Sequence, residues 1–424
     1  MRLSTALIAL VFLAVSAVAQ DAGKPQPEPK SVTVPVTLDH NRVVIDVYLP
    51  LSDGSTKRVR GWVDTGDPEL QMSQRMAKLM GLAITCDANT CSAPSPREIM
   101  IGAMKISLAA LKEVRIPLKP GSAASVMVPG MSAEIKIPSS VLRNYDVLIN
   151  FPDREFSIGL PGSLNFKGVK SKMLVNASGF IQIPSKIANK NYSLGLDVGS
   201  SISFLSEELF DKLAAAHTEW PRMTGAVGPA NMGELGDDEP KWKLVRVDRL
   251  QYGPLYLTDV AVANFPKTFS AFFEKDAGSA IAGLLGSNAL MNYRIGLDYA
   301  HSTAYFDIGN TFKFPEFDVV GLILRPEDDT RFTILGVADF EGRPSVPSGD
   351  DGIQPGDHLV AVDGIPVPDS TLGQVWSLLE GSPGQERKLT IEREGKQFNV
   401  VAKVQHFLGE TEDGQAKEKS AKKH

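Results

Sequence analysis

Gly61-Trp62-Val63-Asp64-Thr65-Gly66, leading into Met72-Ser73-Gln74-Arg75-Met76-Ala77-Lys78-Leu79, is nearly repeated as Leu194-Gly195-Leu196-Asp197-Val198-Gly199, leading into Leu205-Ser206-Glu207-Glu208-Leu209-Phe210-Asp211-Lys212-Leu213. Each copy reads as an apolar strand, an Asp-X-Gly turn, a short second strand and an amphipathic helix. Met76, Leu79 and Met80 share one helix face, as do Leu205, Leu209 and Leu213, and Ser73 and Ser206 stand where N-caps belong. A duplicated Asp on a duplicated scaffold lets one chain bring two carboxylates face to face. Two carboxylates that close cannot both ionise, so one keeps a proton and acts as acid while the other acts as base. Gly66 and Gly199 let the backbone pass close behind each carboxylate. Either Asp taken alone is equally an ordinary turn residue.

The repeat reaches beyond the turns. Val141-Leu142-Arg143-Asn144-Tyr145-Asp146-Val147-Leu148-Ile149-Asn150-Phe151 closes the first copy, and Ala289-Leu290-Met291-Asn292-Tyr293-Arg294-Ile295-Gly296-Leu297-Asp298-Tyr299 closes the second. Leu, Asn and Tyr fall at matching offsets, which predicts two tandem β lobes at 31–162 and 170–308. Val32, Val34, Val36 and Leu38 alternate, and with Val43 to Val47 they predict a hairpin around Asp39-His40-Asn41. Pro35 within the first run predicts an edge strand. A third unit spans 317–408, with strands at Val319–Leu324, Thr333–Val337 and Leu389–Lys396 and a helix near 371–380. A charged tail at 409–424 lacks large apolar residues and is expected to be disordered.

Composition bounds the function. The chain has 424 residues, 43% apolar and 22% charged, with a net charge of −6, so it is globular in type and gives no hint of nucleic-acid binding. Arg2, the apolar run Ala6–Val18 and Ala17-Val18-Ala19 read as a signal peptide at 1–19, followed by a Pro-rich linker at 20–30. The expected location is therefore secreted or periplasmic, in the cell envelope, with no membrane attachment after cleavage; an uncleaved anchor is the alternative. Cys86 and Cys91 are the only cysteines, and export favours a disulfide over two free thiols. The six His residues show no ligand spacing, so no metal and no cofactor is expected. Gly-x-Ser-x-Gly and His-Glu-x-x-His are both absent, which argues against serine and metallopeptidase chemistry.

The two lobes resemble the bacterial retropepsin-like and pepsin-like aspartic proteases. Val63-Asp64-Thr65-Gly66 matches that family's active-site turn, Asp197-Val198-Gly199-Ser200-Ser201 matches the second copy imperfectly, and Ala282-Gly283-Leu284-Leu285-Gly286 resembles its hydrophobic-hydrophobic-Gly element. The resemblance implies a mainly β, two-lobed fold and an aspartic-type endopeptidase in which Asp64 and Asp197 activate a water, supported by Thr65, Gly66, Val198, Gly199 and Ser200. The family has Thr or Ser after each Asp, its hydroxyl bonding across the lobes; Val198 cannot do this, which would leave a backbone group short of a partner. Asp67 adds a third carboxylate that either raises the pair's proton affinity or points to solvent beside Pro68. The first lobe lacks the hydrophobic-hydrophobic-Gly element, and Ile135–Ser140 stands where Leu284–Asn288 stands in the second. The flap is placed at 92–106.

Gly352-Ile353-Gln354-Pro355-Gly356-Asp357-His358-Leu359-Val360-Ala361-Val362-Asp363-Gly364 resembles the PDZ domains of bacterial envelope proteases, an α+β unit. That implies a bound C-terminal or extended peptide added as a strand, on Gly321, Leu322, Ile323 and Leu324 or on Thr333–Val337; a PDZ unit used only as a spacer is the alternative. The implied partners are a peptide or protein substrate and a peptide ligand of the PDZ unit. One chain carries both Asp residues, so a monomer is expected. A degenerate protease scaffold that binds peptides or envelope proteins without cleaving them is the competing function, motivated by Val198 and Asp67.

Overall fold

The computed structural model describes residues 28–87, 90–117, 127–233, 237–265, 281–309, 317–350 and 352–410. The expected signal peptide at 1–19, the linker up to residue 27 and the tail from residue 411 lie outside the described residues. The described chain is mainly β, and no helix in it is long and apolar enough to cross a membrane.

Alternation at Ser31–Asp39 produces a strand, which His40 and Asn41 reverse into Arg42–Pro50 at φ of 53° and 62°. Two consecutive positive values are what a tight hairpin needs to match strand twist. The strand of Pro35 stands between two others in the sheet order, yet each of its residues pairs on one side only. The strand changes partner there: Ser31–Pro35 pairs with Glu155–Gly159, and Val36–Asp39 pairs with Arg42–Ile45. Proline fits such a switch because the ladder is interrupted at that point. Both Ser caps form, Ser73 accepting from the Met76 N–H and Ser206 from the Leu209 N–H. Of the expected face Met76 and Met80 are buried, together with Ala77, while Leu79 is exposed.

In each half, the strand ending in Asp is joined by a parallel strand from near that half's end. Thr56–Asp64 takes Ile135–Pro138 with Pro138 opposite Asp64, and Lys190–Asp197 takes Gly283–Gly286 with Gly286 opposite Asp197. Ile135–Ser140 therefore occupies the place of Leu284–Asn288, and Pro138 stands for Gly286. The two closing segments pair with each other, from Asp146 opposite Asp298 to Asn150 opposite Arg294. Val147, Ile149, Ile295 and Leu297, all buried on these strands, belong to one apolar cluster that spans both halves. Burial of that shared core ties the halves together and so fixes where the two Asp turns stand.

Residues 92–106 are not placed as a flap. Ile99, Ile101, Met104 and Ile106 are buried in the first-half core, and a Cβ at the hairpin tip Gly102 would meet Val32 and Val34. Strand pairing puts the counterpart elsewhere. Thr85–Cys86, Cys91–Pro94 and Glu113–Ile116 pair in the first half as Arg222–Thr224, Lys243–Tyr252 and Leu255–Phe265 pair in the second. The short Cys86–Cys91 turn, closed by a disulfide, thus corresponds to the long excursion 225–242.

A third unit begins at Phe317. Leu322–Pro326, Phe332–Val337, His358–Val362, Glu386–Arg393 and Lys396–Lys403 form a sheet in that order, beside a helix Leu372–Leu379 that opens on a Thr371–Gln374 capping box. Phe332–Val337 pairs with Leu322–Pro326 on one side, and at Phe332 and Thr333 with His358–Val362 on the other, so it is interior in the sheet order. Leu322–Pro326 is the edge strand, and the excursion from the second half covers it. The Leu324 N–H donates to Asn231 Oδ1 at 2.9 Å, and Asn231 Nδ2 donates to the Leu324 carbonyl at 2.8 Å. Asn231 is braced by the buried Glu239, which also accepts from the Gly233 N–H at 2.8 Å. Ala226, Val227, Ala230 and Met232 share one apolar cluster with Leu322, Leu324, Val375 and Leu379. The helix start reaches the first half, where the Leu372 N–H donates to the Gly130 carbonyl at 2.7 Å and the Thr371 hydroxyl to Asp39 Oδ1 at 2.7 Å.

Candidate active site

Both aspartates are held by the same two-bond cradle. Asp64 Oδ1 accepts from the N–H groups of Gly66 at 2.9 Å and Asp67 at 3.2 Å; Asp197 Oδ1 accepts from those of Gly199 at 2.9 Å and Ser200 at 3.1 Å. The parallel neighbour then locks each loop from behind, the Ser139 N–H donating to the Asp67 carbonyl at 3.0 Å and the Ser287 N–H to the Ser200 carbonyl at 2.9 Å. The two turns face each other. A Cβ on Gly66 would collide with the Asp197 carboxylate, and one on Gly199 would stand 2.6 Å from Cγ of Asp64. Each glycine is therefore required by the aspartate of the opposite half.

The link across the halves is one-sided. Thr65 Oγ1 donates to the Leu196 carbonyl at 2.8 Å and accepts from the Val198 N–H at 3.0 Å. Val198 is fully buried and packs into the core. Its own backbone is nonetheless satisfied, because its carbonyl accepts from Ser287 Oγ at 3.1 Å. Ser200, at the position of Asp67, turns its hydroxyl to the Ile202 carbonyl at 2.7 Å, and Ser201 donates to the Pro229 carbonyl at 2.7 Å.

Burial pushes both carboxyl groups up. Asp64 is raised well above the usual range by desolvation and then by the neighbouring Asp197, with Lys136 opposing and Asp67 adding to the rise. Asp197 is pushed up to about 6 by desolvation, against the N–H bonds of its turn and the Arg42 charge. The pair titrates as a unit, so the retained proton belongs to the pair.

Asp67 does not point to solvent. Lys136 Nζ lies 2.6 Å from Asp67 Oδ2 and 3.9 Å from Asp64 Oδ2, with the lysine side chain 1% exposed. Lys136 and the buried Arg42 both approach the Trp62 ring, at 5.7 and 5.5 Å from its centre, and Met127, Val128, Met131 and Ala133 cluster with that ring. Neither Lys136 nor Arg42 was singled out in the sequence. The available signal was a lone charge between two isoleucines in a short strand, in the same half as an extra carboxylate. Gly321, Leu322, Ile323 and Leu324 are not an open peptide site here: the three aliphatic residues are fully buried, and a Cβ on Gly321 would meet Ser345 and Phe407. Among the described residues no group of three His, Cys, Asp or Glu is placed to hold a metal ion.

Residues 344–393 match the family model of the PDZ domain. The C-terminal unit is a PDZ domain. Among solved structures, the chain is similar to the crystal structure of an aspartic proteinase from Irpex lacteus, at 13% identity and a TM-score of 0.38, over 66% of this chain and 98% of that one. No curated protein matches the chain. In the PDZ domain, Asp357 is held low by Arg393, which meets both its oxygens at 2.7 Å while donating to the Gly352 carbonyl at 2.7 Å. Burial is the opposing influence there and is overcome. That clamp fixes the turn leading into His358–Val362.

Proposed function

We propose that the chain is an exported aspartic-type endopeptidase. The observation that carries this is the pair of cradled carboxylates, each packed against the other turn's glycine. In the reaction, the ionised member of the Asp64–Asp197 pair takes a proton from a water held between the two carboxylates. That water adds to the peptide carbonyl, and the protonated member gives its proton to the carbonyl oxygen. The tetrahedral diol then breaks down: the carboxyl that took the water's proton passes it to the departing amine nitrogen, the other carboxylate takes a proton back from a diol hydroxyl, and the C–N bond breaks to leave acid and amine. The disulfide Cys86–Cys91 supports an oxidising compartment, secreted or periplasmic.

The test is cleavage of a peptide library by the purified protein from acid to neutral pH. Cleavage is expected to fall as pH drops through about 6, where Asp197 becomes protonated, and to drop by about 10³-fold in Asp64→Asn and in Asp197→Asn. Cleavage at the wild-type level in either variant overturns the mechanism. The fully buried Val198 and the Lys136–Asp67 ion pair favour a second reading, a protease-like scaffold that binds peptides without cutting them. Saturable peptide binding with no turnover at any pH would establish it.

A further inference from the structure

The ion pair beside the carboxylates exists in one half only. Strand register places Lys136 opposite Trp62 in the first half and Leu284 opposite Gly195 in the second, two residues before the aspartate in each case. Asp67 likewise stands where the second half has Ser200, as the matching backbone bonds from Ser139 and Ser287 show. An otherwise duplicated site therefore carries a cation and an anion on one side and an apolar and a neutral residue on the other. Burying a lysine so fully is costly unless it is paired; Asp67 is that partner, and the ammonium also lies 3.9 Å from Asp64.

We infer that Lys136, held in place by Asp67, is a positioning residue for the Asp64–Asp197 pair, making its two carboxylates electrically unequal and fixing the charge the pair carries. This rests on reading that pair as the functional centre. The groups acting on it, among the described residues, are few. Lys136 and Asp67 face Asp64 from the first half, Asp67 also acts on Asp197, each aspartate faces the other, Arg42 acts on Asp197 from the hairpin strand, and Tyr252 feels the Asp197 charge. Lys136 favours the ionised pair and Asp67 opposes it, so removing one or the other shifts the pair in opposite directions.

The experiment is a carboxyl carbon NMR titration of the full chain labelled at Asp, with Asp64→Asn and Asp197→Asn spectra to assign the two signals. Lys136→Met is expected to move the pair's titration up by about one pH unit or more, and Asp67→Asn to move it down by about one unit, the scale set by a charge within 4–6 Å. The double variant is expected to return close to wild type. Titrations that stay put in both single variants, or move the same way in both, overturn the inference. Asp67→Asn keeps the test decisive where Lys136→Met does not fold. A protein that cleaves nothing yet shows the opposed shifts would sink the endopeptidase proposal and leave this one standing.

Discussion

The Asp64 and Asp197 turns share a backbone and differ in nearly everything that surrounds it. Each Oδ1 accepts two N–H bonds from its own turn, and each turn is backed by a parallel strand whose following Ser closes the loop. Around that common frame, the first half supplies the cross-lobe hydroxyl from Thr65 and the buried ion pair Asp67–Lys136. The second supplies Val198, neutral serines, and an excursion at 225–242 that reaches the PDZ domain through Asn231. The backbone geometry is what two face-to-face carboxylates require and has been kept twice. The side chains around it have diverged, so the two carboxylates start from different electrostatic positions. A duplicated scaffold can in this way make two like carboxylates unequal.

The largest effects should come from removing that inequality outright. Asp64→Asn and Asp197→Asn are each expected to lower peptide cleavage by about 10³-fold, the scale of lost acid–base catalysis, measured as kcat/KM on a peptide substrate. Gly66→Ala and Gly199→Ala drive a methyl into the opposite carboxylate and are expected to cost about 1–3 kcal/mol in denaturant unfolding, along with activity. A variant of normal stability would show that the turns stand further apart than described. Asn231→Ala strips partners from the buried N–H and carbonyl of Leu324, at about 2 kcal/mol. It is expected to speed hydrogen exchange along Leu322–Pro326 while leaving Glu386–Arg393 protected.

A pH comparison sharpens the contrast further. A carboxyl group pushed up on folding binds its proton more tightly in the native state. Stability therefore falls as pH rises from the unfolded value near 3.8 through about 6 for Asp197, and the loss is complete at neutral pH. Asp197→Asn escapes that loss. Relative to wild type it should be more stable at pH 7 than at pH 4 by roughly 2 kcal/mol, read from Tm or chemical unfolding at the two pH values. The smallest effect expected lies in the short counterpart of the excursion: replacing Cys86 and Cys91 by Ser opens a loop of only a few residues and should cost no more than about 2 kcal/mol.

Much of this was legible in the sequence because it is local or repeated. The Asp-X-Gly turns, the Ser caps, the hairpin at His40-Asn41 and the PDZ turn around Gly356-Asp357 are all written in a few adjacent residues. The equivalence of Ile135–Ser140 and Leu284–Asn288 followed from their place in each copy. What escaped was non-local. Lys136 becomes meaningful only once pairing brings its strand beside Thr56–Asp64. The flap was misplaced because 92–106 alternates like any buried hairpin, and only its strand partners show which hairpin corresponds to which. The covered PDZ edge depends on Asn231 meeting Leu324 across 93 positions, a pairing that no periodicity encodes.

The excursion 225–242 has a thermodynamic consequence. A foreign peptide adding to the Leu324 edge competes with an occupant tethered in the same chain, whose effective concentration for short linkers is on the order of millimolar. Its apparent affinity is the intrinsic affinity scaled by the fraction of molecules in which the excursion has let go. The same excursion holds a second bond, its Pro229 carbonyl accepting from Ser201, four residues beyond Asp197. Linkage is reciprocal: if a peptide that takes the edge breaks that bond, a molecule that steadies the Asp197 loop must by the same amount strengthen the hold of the excursion on the PDZ edge.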